Sequence, residues 1–407
     1  MKTLVSLIVS AFLLTSIAGM FTSCTEPEVA AAAGDIPLKV GMEKKVEQDN
    51  DFSFDLLRQT IAYNAESNVF ISPLSMSIAL GMVRNGAAGT TLNEIEQALR
   101  LSGMSNDEIN EYYKIMREGL LAVDPKTKLN IANSIWYRTG FPVKSDFLNV
   151  NKSYFNAEVR ALDFGAPGAV DIINSWCAKA TNDLIKKPLD RISADAMLYL
   201  INAIYFKGVW VKQFDAKKTY KTDFLAENGE RTQVDMMVQK DTFLYAEDEK
   251  AQYLDMPYGN KAFSMTVLLP KDGITTGQLL EELSAGEWAR IHKSMQRQEV
   301  NVYFPKFKME NKYEMKDPMR ALGMQLAFTD EADFSPVSDI RLLISRIIHS
   351  TYVEVDEVGT EAAAVTTVEF ENTSMPMTPF FVANKPFIFL IREKSTGVIL
   401  FAGKKGE

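Results

Sequence analysis

The sequence predicts one large α+β domain, and three observations support that prediction. Helical patterns dominate the first half of the 407-residue chain, and strand patterns dominate the second half. The regular alternation of strand and helix that indicates a parallel α/β fold is not found. From Val46 onward there is neither a low-complexity linker nor a repeat of about 20 to 50 residues. Hydrophobic residues make up 46% of the chain, which is enough for a large core.

Helices are predicted from apolar residues at helical spacing. An amphipathic helix begins at Phe52, a buried helix opened by Ser72 covers residues 73–83, and another covers residues 92–99. A later helix over residues 277–293 shows that helices are not confined to the first half of the chain.

Strands are predicted where aliphatic and aromatic residues run together. The predicted strand segments are residues 129–137, 197–206, 263–269, 299–307 and 388–401.

Residues 1–23 have the pattern of a lipoprotein-type signal peptide. Lys2 supplies the positive start, residues 4–14 are apolar, and small residues lead into Cys24. This end resembles the lipobox of bacterial lipoproteins, in which the cysteine carries the lipid, although Phe21 replaces the usual aliphatic residue. Simple secretion and an uncleaved membrane anchor are the alternatives, the latter disfavoured because polar residues interrupt a short apolar run.

The lipidated Cys24 and the residues up to 45 are predicted to form a flexible tether, because they are rich in alanine and acids and contain Pro27 and Pro37. Residues 46–407 then form the folded domain. Cys177 would be the one remaining thiol, so no internal disulfide is expected. Its position on a predicted helix favours a buried, inert side chain.

Several functional classes are not supported by the sequence. The net charge of −9 and the pI of about 5.1 argue against nucleic acid as a partner. Motifs of hydrolases, metalloproteases and nucleotide-binding proteins are missing, and no Cys/His cluster predicts a metal. Of the two histidines, His292 is expected to be solvated at a polar helix end, and His349 to make a buried hydrogen bond. We therefore predict no catalytic residue, cofactor or metal.

The segment from Glu357 to Thr367 has an unusual composition of one glycine, small residues and β-branched residues without proline. Gly359 supplies a backbone pivot. In a strand, side chains alternate between faces, and one face would be uncharged. That face carries Thr360, Ala362, Ala364, Thr366, Val368 and Phe370.

The opposite face of that strand would carry every acidic residue from Thr360 to Glu371. This pattern predicts a segment that is an exposed loop at one time and a half-buried strand at another. A short helix is the alternative, since Glu-Ala-Ala-Ala has good helix propensity. The β-branched residues and the later Pro376 and Pro379 limit its length.

Several motifs, in chain order, resemble those of the serpins, the serine protease inhibitor superfamily. The resemblance covers residues 50–404, and its combination of motifs is specific although each is weak alone. The motifs lie at residues 68–75 (NVFISPLS), 86–90 (GAAGT), 200–210 (LINAIYFKGVW), 214–215 (FD), 256–258 (MPY), 304–307 (FPKF), 357–366 (EVGTEAAAVT), 384–387 (NKPF) and 401–404 (FAGK).

The resemblance implies the serpin fold, with a large mixed β-sheet, smaller sheets, surrounding helices and an exposed reactive-centre loop at about 357–383. It places a polar cluster where the strands part, at Ser72, Ser75, Asn202 and His349. It places Trp210 and Lys306 where loop insertion begins, with a Lys306–Glu357 ion pair. It assigns the hinge to Glu357, Gly359, Thr360, Glu361, Ala362, Ala363, Ala364 and Thr366.

The function that the resemblance implies is suicide-substrate inhibition of serine endopeptidases by a monomer without a cofactor. The protease forms its acyl intermediate with the loop, and the cleaved loop inserts into the central sheet and traps the enzyme. A non-inhibitory binding serpin is the alternative. Hinges of such relatives commonly carry bulky or charged inward residues, which Thr360, Ala362 and Ala364 are not.

The scissile bond has two candidate positions. Counting forward from Gly359 at the family's spacing gives Thr373–Ser374, whereas counting back from Asn384 gives a bond after Met375. No lysine or arginine lies between residues 357 and 381, which disfavours trypsin-like targets. Elastase-, subtilisin- and chymotrypsin-like enzymes are expected, with papain-like cysteine proteases as an alternative. The lipid on Cys24 predicts the bacterial cell envelope as the location, with secretion as the alternative.

Overall fold

The structure is a computed structural model that describes residues 34–101, 103–359 and 378–407. The described helices are α1 (Met42–Tyr63), α2 (Pro73–Arg84), α3 (Gly89–Ala98), α4 (Asn106–Ala122), α5 (Ser145–Phe155), α6 (Ala169–Ala180), α7 (Thr276–Glu282), α8 (Ala285–Ser294) and α9 (Lys316–Ala321). The described strands are β1 (Val69–Ile71), β2 (Lys128–Arg138), β3 (Glu158–Leu162), β4 (Leu198–Lys207), β5 (Tyr220–Leu225), β6 (Arg231–Glu247), β7 (Ala251–Tyr258), β8 (Phe263–Pro270), β9 (Gln296–Pro305), β10 (Phe307–Glu314), β11 (Ile348–Val355), β12 (Phe380–Val382), β13 (Phe387–Glu393) and β14 (Ile399–Lys405).

The described strands form three sheets. The largest runs β1-β14-β13-β8-β7-β6-β9-β12, and β5 also pairs with β6. A three-stranded sheet has the order β3-β2-β4, with β2 parallel to β3 and antiparallel to β4. A two-stranded sheet pairs β10 with β11 antiparallel. This mixture of sheets with mostly separate helices confirms the predicted α+β class.

The main core is built from residues of the largest sheet together with residues of the helices α1, α2 and α4. Every residue of β8, β13 and β14 is buried, which explains their apolar sequences. Two charged pairs are buried in this body, and each is neutralised within hydrogen-bonding distance. Arg392 of β13 lies 3.1 Å from Asp255 of β7, and Lys45 pairs with Asp49 one turn along α1.

A smaller apolar cluster joins α6 to the three-stranded sheet. Its buried members include Trp136 of β2 and Ile173 of α6. Tyr199 of β4 and Ile348 of β11 both pack against the same cluster. The edge strand β4 of one sheet is therefore brought close to the edge strand β11 of another.

Three predicted segments are each divided into two elements in the structure. The helix predicted over 277–293 is two helices, because Ser284 caps a new helix one residue after Leu283 leaves helical geometry. The strand predicted over 299–307 is interrupted at Lys306, between β9 and β10. The strand predicted over 388–401 is β13 and β14, which pair antiparallel across the connection at 394–398. The strands predicted at 129–137, 197–206 and 263–269 are confirmed as β2, β4 and β8.

The folded part begins earlier than predicted. Residues 36–45 were expected in the flexible tether, but Ile36 is buried and its backbone N–H donates to the Ser395 Oγ at 3.0 Å. A Cβ on Gly119 of α4 would lie 2.6 Å from Ile36, so this helix has no room for a side chain there. Helix α1 also starts at Met42 rather than at Phe52. Cys24 lies outside the described residues.

Two further predictions concern the reactivity of Cys177 and the presence of a membrane-spanning helix. Cys177 is buried in α6, and burial raises the pKa of its thiol to about 12, so the thiol is unreactive at neutral pH. Helices within the described ranges do not combine the length and apolar character needed to cross a bilayer.

Candidate functional site

The candidate site is an opening between β4 and β11. β4 pairs with β2, β11 pairs with β10, and within the described ranges no ladder joins β4 to β11. Both strands nevertheless contact the start of α2, through Asn202 of β4 and His349 of β11. Two facing strand edges that are not joined form a place where a further strand can pair.

A polar cluster closes one side of this opening at the start of α2. Ser72 caps α2, because its Oγ accepts the Ser75 N–H at 3.2 Å. The same hydroxyl donates to the Leu400 carbonyl at 2.7 Å. The Ser75 hydroxyl hydrogen-bonds to the Asn202 side-chain carbonyl. These bonds connect β4 to the helix and, through Leu400, to β14 of the largest sheet.

His349 supplies the matching link from β11. Its Nε2 lies 2.9 Å from the Ser72 backbone N–H, and since this N–H can only donate, Nε2 is the acceptor. Burial lowers the pKa of His349 to about 4, so the ring is neutral at physiological pH. His349 therefore holds a backbone donor and does not act as a base on the Ser72 hydroxyl.

The second half of the site is the hinge junction, where residues 356–359 meet residues 209–219. The Lys306 Nζ lies 2.8 Å from the Glu357 carboxylate, and Thr219 Oγ1 donates to the same carboxylate at 2.7 Å. Burial would raise the pKa of Glu357, but the hydrogen bonds from Lys306 and Thr219 outweigh it and lower the pKa. The hydrogen bond to Glu357 raises the pKa of Lys306. The ion pair expected from the sequence is thus present, on a lysine whose side chain is 38% exposed.

Trp210 forms two hydrogen bonds with the backbone of the hinge junction. Its Nε1 donates to the Asp356 carbonyl at 3.0 Å, and its backbone N–H donates to the Val358 carbonyl at 2.8 Å. The indole stacks on Tyr258 with ring centroids 4.2 Å apart. The chain that leaves β11 is therefore held beside the residues that follow β4.

Gly359 lies where this chain passes closest to the backbone after β4. It forms an antiparallel bridge with Val209, and its φ is 140°. A Cβ at this position would lie 2.3 Å from the Gly208 carbonyl oxygen. Only glycine fits here, both because of this close approach and because L side chains rarely adopt such a φ.

All eight predicted site residues that lie in the described ranges come together in these two places. Ser72, Ser75, Asn202 and His349 form the polar cluster. Trp210, Lys306, Glu357 and Gly359 form the hinge junction. The following predicted residues lie outside the described residues: Thr360, Glu361, Ala362, Ala363, Ala364, Thr366, Thr373, Ser374 and Met375.

The prediction that His292 is solvated is wrong. The ring is half-buried, and Arg392 donates to its Nε2 at 2.8 Å. Burial, and after it the positive charge of Arg392, lower the pKa of His292. The local sequence around residue 292 is polar, but tertiary folding places β13 against that helix end.

Three contributing residues were not predicted as part of the site. Asn133 of β2 accepts a hydrogen bond from Asn202 at 2.7 Å and extends the polar cluster. Thr219 is the second donor to Glu357, and Tyr258 stacks on Trp210. Asn133 could have been found as a polar residue within an apolar strand, whereas nothing in the sequence marks Thr219.

The geometry of the site suits the addition of a strand. Ser72 Oγ faces a carbonyl and a backbone N–H, not a base. Within residues 34–101, 103–359 and 378–407, no group of three or more His, Cys, Asp or Glu residues could hold a metal ion. What the site presents is a pair of strand edges and a chain segment that leaves β11 and crosses to the residues that follow β4.

Comparisons with known proteins agree with this geometry. The family described as Serpin (serine protease inhibitor) matches residues 47–405. Human neuroserpin is 34% identical over 369 residues, which cover 87% of this chain and 89% of that protein. Tengpin, a thermophilic serpin solved in the native state, has a TM-score of 0.83 and 33% identity, covering 93% of this chain and 97% of that chain. Human thyroxine-binding globulin complexed with thyroxine has a TM-score of 0.81 and 28% identity, covering 89% and 98%.

We expect His349 to make folding stability depend on pH. Its pKa is about 4 in the folded protein and near 6.5 when unfolded, so the unfolded chain binds a proton first as the pH falls. The stability due to neutral His349 is complete above pH 6.5 and decreases between pH 6.5 and 4. By pH 5 the loss is about 2 kcal/mol. Urea unfolding of the wild type and of His349→Gln at pH 7 and pH 5 measures this loss of stability.

The glutamine variant keeps an acceptor but cannot be protonated, so it should lose less stability between the two pH values. His292 is present in both proteins, and its contribution cancels in the comparison. Equal pH dependence of the two proteins would show that His349 is not the group responsible.

We expect the Lys306–Glu357 pair to contribute about 1 kcal/mol, since the Lys306 side chain is 38% exposed and solvent screens its charge. A double-mutant cycle with Lys306→Met and Glu357→Gln, measured by urea unfolding, gives the coupling free energy. The coupling should decrease as sodium chloride is raised to about 1 M. A coupling free energy of zero at low salt would show that Lys306 and Glu357 do not form a stabilising ion pair.

Proposed function

Since the chain belongs to the serpin family, we propose that it is an inhibitory serpin, a suicide-substrate inhibitor of serine endopeptidases. The observation that carries this proposal is the position of Gly359. The chain leaves β11, crosses the hinge junction and pairs at Gly359 with Val209, two residues beyond the end of β4. Gly359, after which the proposed inserting segment begins, therefore lies beside the chain that continues β4.

The proposed mechanism starts with normal proteolysis. The protease serine attacks the scissile carbonyl carbon, an ester forms, and the peptide C–N bond breaks as the amine takes a proton from the protease's own base. Cleavage releases the constraint that two attached ends place on the loop. The segment from Thr360 onward then enters the opening as a new strand, with Thr360, Ala362, Ala364 and Thr366 on the buried face.

Insertion supplies the force that traps the enzyme. About fourteen residues at roughly 3.3 Å each carry the acylated end nearly 50 Å. At roughly 0.5–1.5 kcal/mol net for each new hydrogen bond, insertion releases on the order of 10 kcal/mol. That energy can distort the attached protease and stop hydrolysis of the ester. The inhibitor itself performs no turnover, because the protease supplies the catalytic groups.

The proposed targets follow from the loop sequence. Cleavage at Thr373–Ser374, or after Met375, suits elastase-, subtilisin- or chymotrypsin-like enzymes. A papain-like cysteine protease would form a thioester in the same way. The protein is proposed to act as a monomer.

A non-inhibitory binding serpin is the second candidate. It is favoured by the similarity to thyroxine-binding globulin, a protein that binds thyroxine. Such a protein would be cleaved in its loop without trapping the protease, so the experiment below separates the two functions.

We also propose that the protein is attached to a bacterial cell envelope through lipid on Cys24, facing the periplasm or the cell surface. The small residues before Cys24 and the apolar run at 4–14 support this proposal. An inhibitor held there would protect the envelope from proteases of a host or of neighbouring cells.

We expect denaturant-stable complexes when the protein is incubated with elastase, subtilisin or chymotrypsin and separated by denaturing electrophoresis. Trypsin should give none at the loop, because no basic residue lies there. Papain tests the cysteine-protease alternative. The mass of the released C-terminal peptide distinguishes cleavage at Thr373–Ser374 from cleavage after Met375. Clean cleavage by every enzyme without a complex would exclude inhibition and favour the binding serpin.

The variant Thr360→Arg tests the insertion face in the same assay. A charge on the buried face opposes insertion, so complex formation should decrease at least tenfold while loop cleavage continues. Glu361→Arg is the matched control, because the same side chain then lies on the opposite face. Equal complex formation by the two variants would contradict insertion through the Thr360 face.

We expect Cys24→Ser to abolish lipid attachment in a bacterial host. Metabolic labelling with a radioactive fatty acid should mark the wild type and not the variant, and the variant should leave the membrane fraction. Cys177→Ser is the control and should remain labelled, because Cys177 is buried. Labelling that persists in Cys24→Ser would contradict the proposal.

A further inference from the structure

Three turns meet at one end of the strands β7, β8 and β13. The β7–β8 turn lies beside the β13–β14 turn, because the Lys394 backbone N–H donates to the Ala262 carbonyl at 2.8 Å. The turn at 123–127, which follows α4, joins them, because the Asn260 Nδ2 donates to the Val123 carbonyl at 3.0 Å. Segments that are far apart in the sequence thus form one continuous surface.

Each of these turns carries an exposed lysine, and the last turn of α8 adds a fourth. We call these four lysines the basic end: Lys126 after α4, Lys261 between β7 and β8, Lys293 of α8, and Lys394 between β13 and β14. Lys293 lies close to the others, because its neighbour His292 contacts Arg392, two residues before Lys394. Within the described ranges, no lysine of the basic end is paired with an acidic side chain.

The carboxylates of the same turns are buried and already bonded. Asp124 accepts the Lys126 backbone N–H at 2.9 Å, and Glu393 accepts the Ser395 backbone N–H at 2.6 Å. Asp35, in the adjoining segment, is an exposed carboxylate. These acids offset part of the positive potential at a distance, but an anion that touches the basic end meets ammonium groups.

The chain enters the fold beside the basic end. The Ile36 N–H donates to the Ser395 Oγ at 3.0 Å, and Ser395 directly follows Lys394. Ile36 also packs against Gly119, in the last turn of α4 before the turn that carries Lys126. Ile36 is twelve residues after Cys24. A chain of that length spans at most about 43 Å, so a lipid on Cys24 holds this side of the fold near a bilayer.

We propose that the basic end docks on the anionic phospholipid headgroups of the membrane that holds the lipid. The lysine ammonium groups donate hydrogen bonds to headgroup phosphates, which are strong acceptors. This attraction acts within about 10 Å of the surface at 0.1 M salt, a range into which the tether can bring the lysines. The inference rests on the lipid attachment proposed above.

Docking through the basic end would fix the orientation of the protein on the membrane. The chain as a whole has a net charge of −9, so most of its surface is repelled by anionic lipid. Unpaired lysines at the point of attachment favour one orientation, with the three turns toward the bilayer. A lipid and a basic patch together also hold a protein more firmly than either does alone.

The test measures vesicle binding by the full-length Cys24→Ser chain, which carries no lipid on that residue, so binding is reversible. Cosedimentation compares vesicles of phosphatidylcholine with vesicles that also contain about 30% phosphatidylglycerol, at about 0.1 M sodium chloride. We expect at least about tenfold stronger binding to the anionic vesicles, and a preference that decreases as salt is raised to about 0.5 M. The apolar residues 4–14 are present in every sample, so their effect cancels in this ratio.

Two fourfold variants locate the binding surface. Lys126→Gln, Lys261→Gln, Lys293→Gln and Lys394→Gln together should reduce the preference for anionic vesicles at least about fivefold. The control combines Lys186→Gln, Lys187→Gln, Lys217→Gln and Lys218→Gln, which are exposed lysines elsewhere, and should reduce the preference less than about twofold. Both sets change the net charge equally, and thermal unfolding checks that both variants fold.

A single-site pair keeps the test valid if the fourfold variant does not fold. Lys394→Glu should bind the anionic vesicles at least about threefold more weakly than Lys394→Arg. Equal losses in the two fourfold variants, equal binding by the two Lys394 variants, or no preference for anionic vesicles overturns the proposal. Binding to soluble dextran sulfate without binding to the anionic vesicles also overturns it. Because the tested chain carries no lipid on Cys24, these results do not depend on whether Cys24 is lipidated in the cell.

Discussion

The structure depends on one constraint, which is that β4 and β11 lie close together without forming a ladder. Both strands belong to sheets completed on their other sides, by β2 and by β10. They are held near each other by contacts that are not part of a sheet, namely the polar cluster at the start of α2 and the hinge junction at Trp210. Strand edges arranged in this way remain open to a further strand, and closing them is favourable.

The polar interactions fall into two groups with different mechanical consequences. Lys45–Asp49 and Arg392–Asp255 are buried in the body, where removal of one partner would leave an unpaired charge. In the Lys306–Glu357 pair the lysine is 38% exposed, so solvent screens the pair, although the glutamate is largely buried and keeps a second donor in Thr219. Removal of one partner is therefore expected to cost more in the body than at the Lys306–Glu357 pair. His349 belongs to neither group, because it takes part in the polar cluster as a neutral acceptor.

The elements were predictable where the local pattern and the tertiary packing agree. The apolar runs at β2, β4 and β8 are buried, and Ser72 caps α2 as its place before a proline indicates. Prediction failed where one periodic run contained two elements. A second cap at Ser284 divides α7 from α8, and a single backbone break at Lys306 divides β9 from β10. Ile36 was assigned to a tether because its segment is rich in alanine and acids and contains prolines, but it packs against α4.

The sequence by itself determined the fold class, the family resemblance and the identities of most residues that meet at the opening. Those are properties of residue types and spacing, which are local. Only the tertiary structure decided that β4 and β11 are not joined, that Gly359 has no space for a side chain, and that His292 is covered by Arg392. Each of these facts depends on segments far apart in the chain, whose distance and burial no local pattern records.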